Sequence, residues 1–124
     1  MKRILVIDDE RTLKLEGEVN HARTSWFGEQ LMVVLRSAGL RLDELWLDHD
    51  LGDDDTIEPI VNWLEETAYH ENPYWVGQIM VHTINAPAGD RMMAALSPYY
   101  NTRRVGIEEL SALCGAVLLN PQEA

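Results

Sequence analysis

The chain has 124 residues, 46% of them hydrophobic and four of them tryptophan, which is enough for one domain, residues 1–124, with a packed core. Twenty-one Asp and Glu against ten Lys and Arg leave a formal charge of −11, excluding the broad basic surface on which duplex nucleic-acid binding depends. No apolar run reaches the roughly 18–20 residues that span a bilayer, and Met1-Lys2-Arg3 with only four apolar residues behind it is too short for a secretory signal, so a cytoplasmic domain with no membrane partner is expected.

Ile4-Leu5-Val6-Ile7 is a continuous apolar run of the kind found in strands buried on both faces. Residues 9–17 read as a polar loop, and residues 18–23 as a second, less apolar strand. Ser25 is placed to cap a helix whose apolar positions, Phe27, Leu31, Val34, Leu35 and Ala38, follow helical spacing up to Gly39. Residues 43–47 give the third strand. Asp55-Thr56-Ile57-Glu58 then has the form of a capping box, with Pro59 tolerated in the first turn. Ile57, Ile60, Val61, Leu64 and Ala68 supply the apolar face of that helix. Asn72-Pro73 breaks the chain before a fourth strand at residues 78–81. Pro87 starts a helix with Ala88, Met92 and Leu96 turned inward, and a short fifth strand falls at residues 104–105. Ile107, Leu110, Leu113, Cys114 and Val117 fit a last helix, in which Cys114, the single cysteine, reads as a buried structural thiol. Strand and helix alternate about five times, which favours a parallel sheet with helices on both faces and a ligand site beyond the carboxyl ends of its strands.

Three apolar runs end in chemistry. Asp8 and Asp9 follow the first strand, and two adjacent carboxylates there suit a hard divalent cation. Asp48 follows Trp46-Leu47 and is placed to face them across the top of the sheet. Three carboxylates repel one another unless a cation or protons intervene, and without a Cys or multiple-His pattern the cation expected is magnesium or manganese. The competing reading of residues 48–55 is a polar loop that caps a helix, which fits Asp53, Asp54 and Asp55 best. His49 and His82 both adjoin strand ends. Flanking a phosphate they suit general base and general acid, and metal ligation or hydrogen bonds to backbone carbonyls are the other roles open to them. His21 and His70 read as surface residues. Thr83 and Asn85 precede a turn into a helix, whose free N–H groups favour an anion, so both are candidates to bind phosphate oxygens, with Asn85 also suited to be the N-cap. Arg11 is a candidate phosphate clamp. For Arg91, Arg103 and Arg104 an exposed ion pair is the default.

The residues above resemble a receiver domain of two-component signalling over nearly the whole chain. Ile4-Leu5-Val6-Ile7-Asp8-Asp9 is similar to a receiver's first strand and acidic pair, Asp48 falls at its phosphate-accepting aspartate, and Thr83 falls near its hydroxyl residue. A receiver normally carries a lysine at the end of its fifth strand, where this chain reads Asn101-Thr102-Arg103-Arg104-Val105-Gly106. The two histidines are also foreign to that pattern. With Asp8-Asp9-Glu10-Arg11, Asp48-His49-Asp50-Leu51-Gly52 and His82-Thr83-Ile84-Asn85 leading to Gly89-Asp90-Arg91-Met92, the chain resembles the cyclic-phosphate processing receiver-like family.

That resemblance implies a flavodoxin-like, receiver-type α/β fold of about five parallel strands, and processing of a cyclic phosphate on a nucleotide or RNA end. It implies a divalent ion, Mg2+ or Mn2+, at Asp8, Asp9 and Asp48. His49 or His82 would handle protons, Asp50 would orient His49 or join the outer shell of the metal, and Asp48 would alternatively attack phosphorus itself. A phosphoacceptor or pseudo-receiver signalling module and a protein that sequesters a cyclic nucleotide are the rival expectations. No protein partner is indicated.

Overall fold

Apolar alternation in the central strands sets the architecture. The computed structural model describes residues 1–114. Strands β1 (Arg3–Ile7), β2 (Glu18–Ala22), β3 (Leu42–Leu47), β4 (Val76–Val81) and β5 (Thr102–Arg104) form one parallel sheet in the order β2-β1-β3-β4-β5. This is the flavodoxin-like doubly wound order. Helices α1 (Ser25–Ser37), α2 (Glu58–Tyr69), α3 (Ala86–Leu96) and α4 (Ile107–Cys114) follow β2, β3, β4 and β5.

Successive residues of β1, β3 and β4 serve opposite faces. Leu5, Ile7, Leu45, Leu47, Ile79 and Val81 enter the larger core beneath α1, α2 and α3. Ile4, Val6, Trp46 and Met80 enter a second, smaller core closed by Leu13, Val105 and Leu110. Parallel strands are normally joined by a helix, yet β1 and β2 are joined by a loop over residues 8–17. Leu13 fills the place a helix side chain would take, and the Lys14 N–H donates to the Leu113 carbonyl at 2.9 Å.

Several local expectations are corrected. Thr24, rather than Ser25, is the N-cap of α1, accepting from the Phe27 N–H. The buried face of α1 is Ser25, Gly28 and Met32, whereas Phe27 and Val34 are exposed. Gly28 marks the close approach of the helix to β1: a β-carbon there would lie 2.6 Å from Ile7 Cδ1, so the Ile7 side chain would have to shift to admit one. No capping box forms at α2: Ile57 is its N-cap without a side-chain bond. The Asp55 carboxylate instead accepts from the Ser25 N–H at 2.8 Å and the Ser25 hydroxyl at 2.5 Å, capping α1. Strands β3 and β4 begin earlier than expected, and β5 ends one residue sooner. Cys114 is half-buried, with its thiol pushed up by that burial, and Val117 lies outside the described residues. No helix among the described residues is long and apolar enough to cross a membrane.

Candidate active site at the carboxyl end of the sheet

The register that pairs Ile7, Leu47 and Val81 puts Asp8, Asp48 and His82 in the next row, on the side of the smaller core. The ladder runs on through that row, since the Asp48 N–H donates to the Ile7 carbonyl and the His82 N–H to the Leu47 carbonyl, each at 3.0 Å. Three strands buried on both faces therefore deliver two carboxylates and an imidazole to one spot. Val105 closes the same row from beyond β5, its N–H bonded to the Val81 carbonyl at 2.9 Å. The place where a receiver keeps a cation is thus apolar here.

Asp8 is fully buried and fully engaged. Its Oδ1 accepts from the Glu10 and Arg11 N–H groups at 2.9 Å each, and its Oδ2 contacts His82 Nε2 at 2.9 Å and Arg11 Nη1 at 3.2 Å. Burial pushes the carboxyl upward, but the bonds from His82, Arg11 and Glu10 outweigh it and hold Asp8 well below the usual carboxylate range. Asp48 goes the other way: burial and the Asp8 charge raise it against the pull of His82, the His49 N–H and Arg11. An ionised Asp8 only accepts, so the hydrogen of the contact lies on His82 Nε2. In the neutral ring the lone pair is then on Nδ1, which is buried and has no partner among the described residues. A pocket of about 230 Å³ is lined by His82, Thr83, Arg104 and Val105, and none of Asp8, Asp9 and Asp48 lines it.

Asp9 completes the acidic group. Ligand oxygens of Asp8, Asp9 and Asp48 lie within 4.8 Å of one another. Gly52 in the β3–α2 loop leaves room for Asp9: its φ is +88°, and a β-carbon there would sit 3.0 Å from Asp9 Oδ2. An all-oxygen set of this size fits Mg2+ or Mn2+. Asp48 accepts only from the His49 N–H and, at 3.4 Å, from Arg11, which leaves lone pairs for an ion.

The remaining candidates divide. His49 lies one residue beyond Asp48, and both of its ring nitrogens are taken, Nδ1 by Asp50 at 2.9 Å and Nε2 by Glu58 at 3.1 Å. Asp50 also accepts from Asn85 Nδ2 at 3.2 Å, and these bonds from His49 and then Asn85 lower its carboxyl. Asn85 is the N-cap of α3, accepting from the Ala88 N–H, while the Thr83 hydroxyl accepts from the Asn85 N–H at 3.1 Å. Asn85 is thus committed to α3 and to Asp50, whereas the Thr83 hydroxyl keeps its hydrogen to donate. Arg11 is turned inward onto Asp8 and Asp48 rather than outward. His21 is half-buried and accepts from the Leu13 N–H at 3.1 Å, whereas His70 is exposed at the end of α2. Sequence reasoning overlooked Glu58 as a partner of His49. Arg104 makes the expected ion pair, to Asp90 at 3.3 Å, and its guanidinium also donates to the Thr83 carbonyl at 3.2 Å, lying so close over Gly89 that any β-carbon there would overlap it. A glycine in the middle of α3 was the one available signal of that approach.

A doubly wound parallel sheet with an acidic cluster beyond its central strands defines a receiver-type domain. The family described as cyclic-phosphate processing receiver domain matches residues 3–98, and the chain belongs to that family. A solved structure that resembles it is a signal receiver domain from Vibrio parahaemolyticus whose parent protein is described as a Luxo repressor. It is 13% identical, with a TM-score of 0.48 over 98% of this chain and 91% of that one. No curated protein matches the chain.

Proposed function

We propose that the domain hydrolyses a cyclic phosphodiester on a nucleotide or RNA end, with the carboxylate cluster as its cation site and His82 as its general base. The observation that carries this reading is the buried Asp8–His82 pair, which fixes the imidazole hydrogen on Nε2 and leaves Nδ1 without a partner among the described residues. A magnesium or manganese ion at Asp8, Asp9 and Asp48 would neutralise phosphate charge and polarise a phosphoryl oxygen. Asp8 orients His82 and stabilises the imidazolium as Nδ1 takes a proton from the attacking water. The water oxygen bonds to phosphorus, one ring P–O bond breaks, and the displaced oxygen takes a proton from solvent, giving a phosphomonoester. His49, with both nitrogens bound, supports the β3–α2 loop instead. Val105 in the row of His82 removes the cation that would hold a new aspartyl phosphate, which favours hydrolysis over phosphoacceptor signalling. The charge of −11 favours recognition of a phosphate terminus through the ion rather than of an extended backbone.

The test is turnover of 2′,3′- and 3′,5′-cyclic nucleotides and cyclic-phosphate RNA ends with Mg2+, Mn2+ or chelator. His82→Gln is expected to lower the rate about 100-fold or more, and His49→Gln only a few-fold, with a reduced Tm. Turnover that survives both His82→Gln and Asp48→Asn sinks the site. Binding without turnover favours sequestration, and labelling by acetyl phosphate at Asp48 favours signalling.

A further inference from the structure

Arg11 is an uncomfortable tenant of the cluster. One nitrogen, Nη1, serves both buried carboxylates, at 3.2 Å to Asp8 and 3.4 Å to Asp48. Charge-assisted bonds of this type run nearer 2.7–2.9 Å and favour the bidentate fork, which is not formed. Its Nε is buried without a partner among the described residues. Asp8 has no further lone pair to offer, since two backbone N–H groups, His82 and Arg11 take all four acceptor positions. Of those four, Arg11 Nη1 makes the longest contact. Its side chain is 17% exposed, so it sits next to solvent, while His82 and Asp8 are closed in.

We infer that Arg11 is a built-in counter-ion, which a divalent cation displaces and which then becomes the phosphate-binding arm of the site. The inference rests on the cation reading of Asp8, Asp9 and Asp48 given above. Guanidinium and metal cannot share the position, because both need the same oxygens and both are positive. Once displaced, the guanidinium remains tethered at the rim, where the Arg11 N–H stays bonded to Asp8 Oδ1. A planar fork of free donors next to a metal-bound carboxylate cluster fits the equatorial oxygens of a phosphate ester or of inorganic phosphate. Cation and phosphate therefore bind with positive coupling, and in the metal-free site Arg11 is held by carboxylates rather than offered to an anion. Either cation offsets part of the negative charge of the cluster.

Removing Arg11 is expected to move two affinities in opposite directions. In the full chain, Arg11→Met should bind Mn2+ about tenfold tighter or more, since the ion no longer has to break an ion pair. Inorganic phosphate, measured at saturating Mg2+, should bind Arg11→Met about tenfold more weakly. Arg11→Lys, which keeps the charge, should hold Mn2+ near the wild-type affinity. If Arg11→Met does not fold, the wild-type protein still decides: the Nε–H resonance of Arg11 in 15N-arginine-labelled protein should shift on Mg2+ addition. Equal or weaker Mn2+ affinity in Arg11→Met, or an Arg11 resonance that Mg2+ leaves in place, overturns the inference alone. No Mn2+ binding by any form overturns the cation reading as well.

Discussion

Leu13 donates its N–H to Nε2 of His21, so this imidazole keeps its own hydrogen on Nδ1 and must stay neutral to accept. Burial first, and then the Arg23 charge, hold it below its ordinary value of 6.5. The unfolded chain binds that proton more readily than the folded one. The contribution of His21 is therefore complete above the unfolded value and is lost as pH falls through it toward the folded one. A shallow decline in stability, under about 1 kcal/mol, is expected between about pH 7 and pH 5. His21→Gln, whose amide oxygen accepts at every pH, should flatten that portion of a Tm-against-pH curve. Parallel curves for the two proteins would assign the decline to other groups. At this scale the sequence showed which residue types end the strands, but not where they point. Arg11 turns inward and His49 turns to Glu58 because of the loop path, and no spacing rule encodes that path.

Helix α1 shows the same limit for a whole element. Hydrophobic spacing nominated Phe27, Leu31, Val34, Leu35 and Ala38; Leu31 and Leu35 do pack against the core, yet Phe27 and Val34 are exposed, and the most buried positions are Ser25, Gly28 and Met32. Two of those three carry almost no apolar surface, so a pattern of hydrophobicity has nothing to register; what places them is closeness of approach. Gly28→Ala gains up to about 1 kcal/mol of helix propensity. It also drives a β-carbon toward Ile7 Cδ1, and Ile7 is fully buried. Overpacking of this kind costs about 1–3 kcal/mol, so net destabilisation is expected by urea unfolding, with recovery in Gly28→Ala/Ile7→Val. A stabilised Gly28→Ala would mean that the contact yields freely. By contrast β1, β3 and β4 were legible, because strands buried on both faces must be apolar throughout. The β1–β2 connection gave no helical periodicity and has no helix.

Across the molecule, the formal charge of −11 is locally most costly where Asp8 and Asp48 are buried together. Asp48 is raised by that burial and by Asp8, so ionising it above the unfolded carboxylate range of about 4 weakens the metal-free fold. Asp48→Asn removes that penalty. It should stabilise the metal-free protein by on the order of 1 kcal/mol, while abolishing any rise in Tm on adding Mg2+. An unstable variant, or one still stabilised by Mg2+, would show that Asp48 is neither the strained carboxylate nor a ligand.

Because β1 reaches β2 through a loop rather than a helix, the two sides of the sheet are insulated to different depths. The side carrying α1, α2 and α3 holds the bulk of the buried apolar contacts, and the other is roofed, among the described residues, by residues 8–17 and α4. The row of Asp8, Asp48 and His82 lies under the thin roof. Segments with few buried contacts open at a fraction of the global unfolding free energy. Opening of this cover at a lower cost than global unfolding is the expected consequence, and the covering loop is the one that carries Arg11. Selection on how fast the site exchanges ions can act on residues 8–17 without disturbing the scaffold beneath.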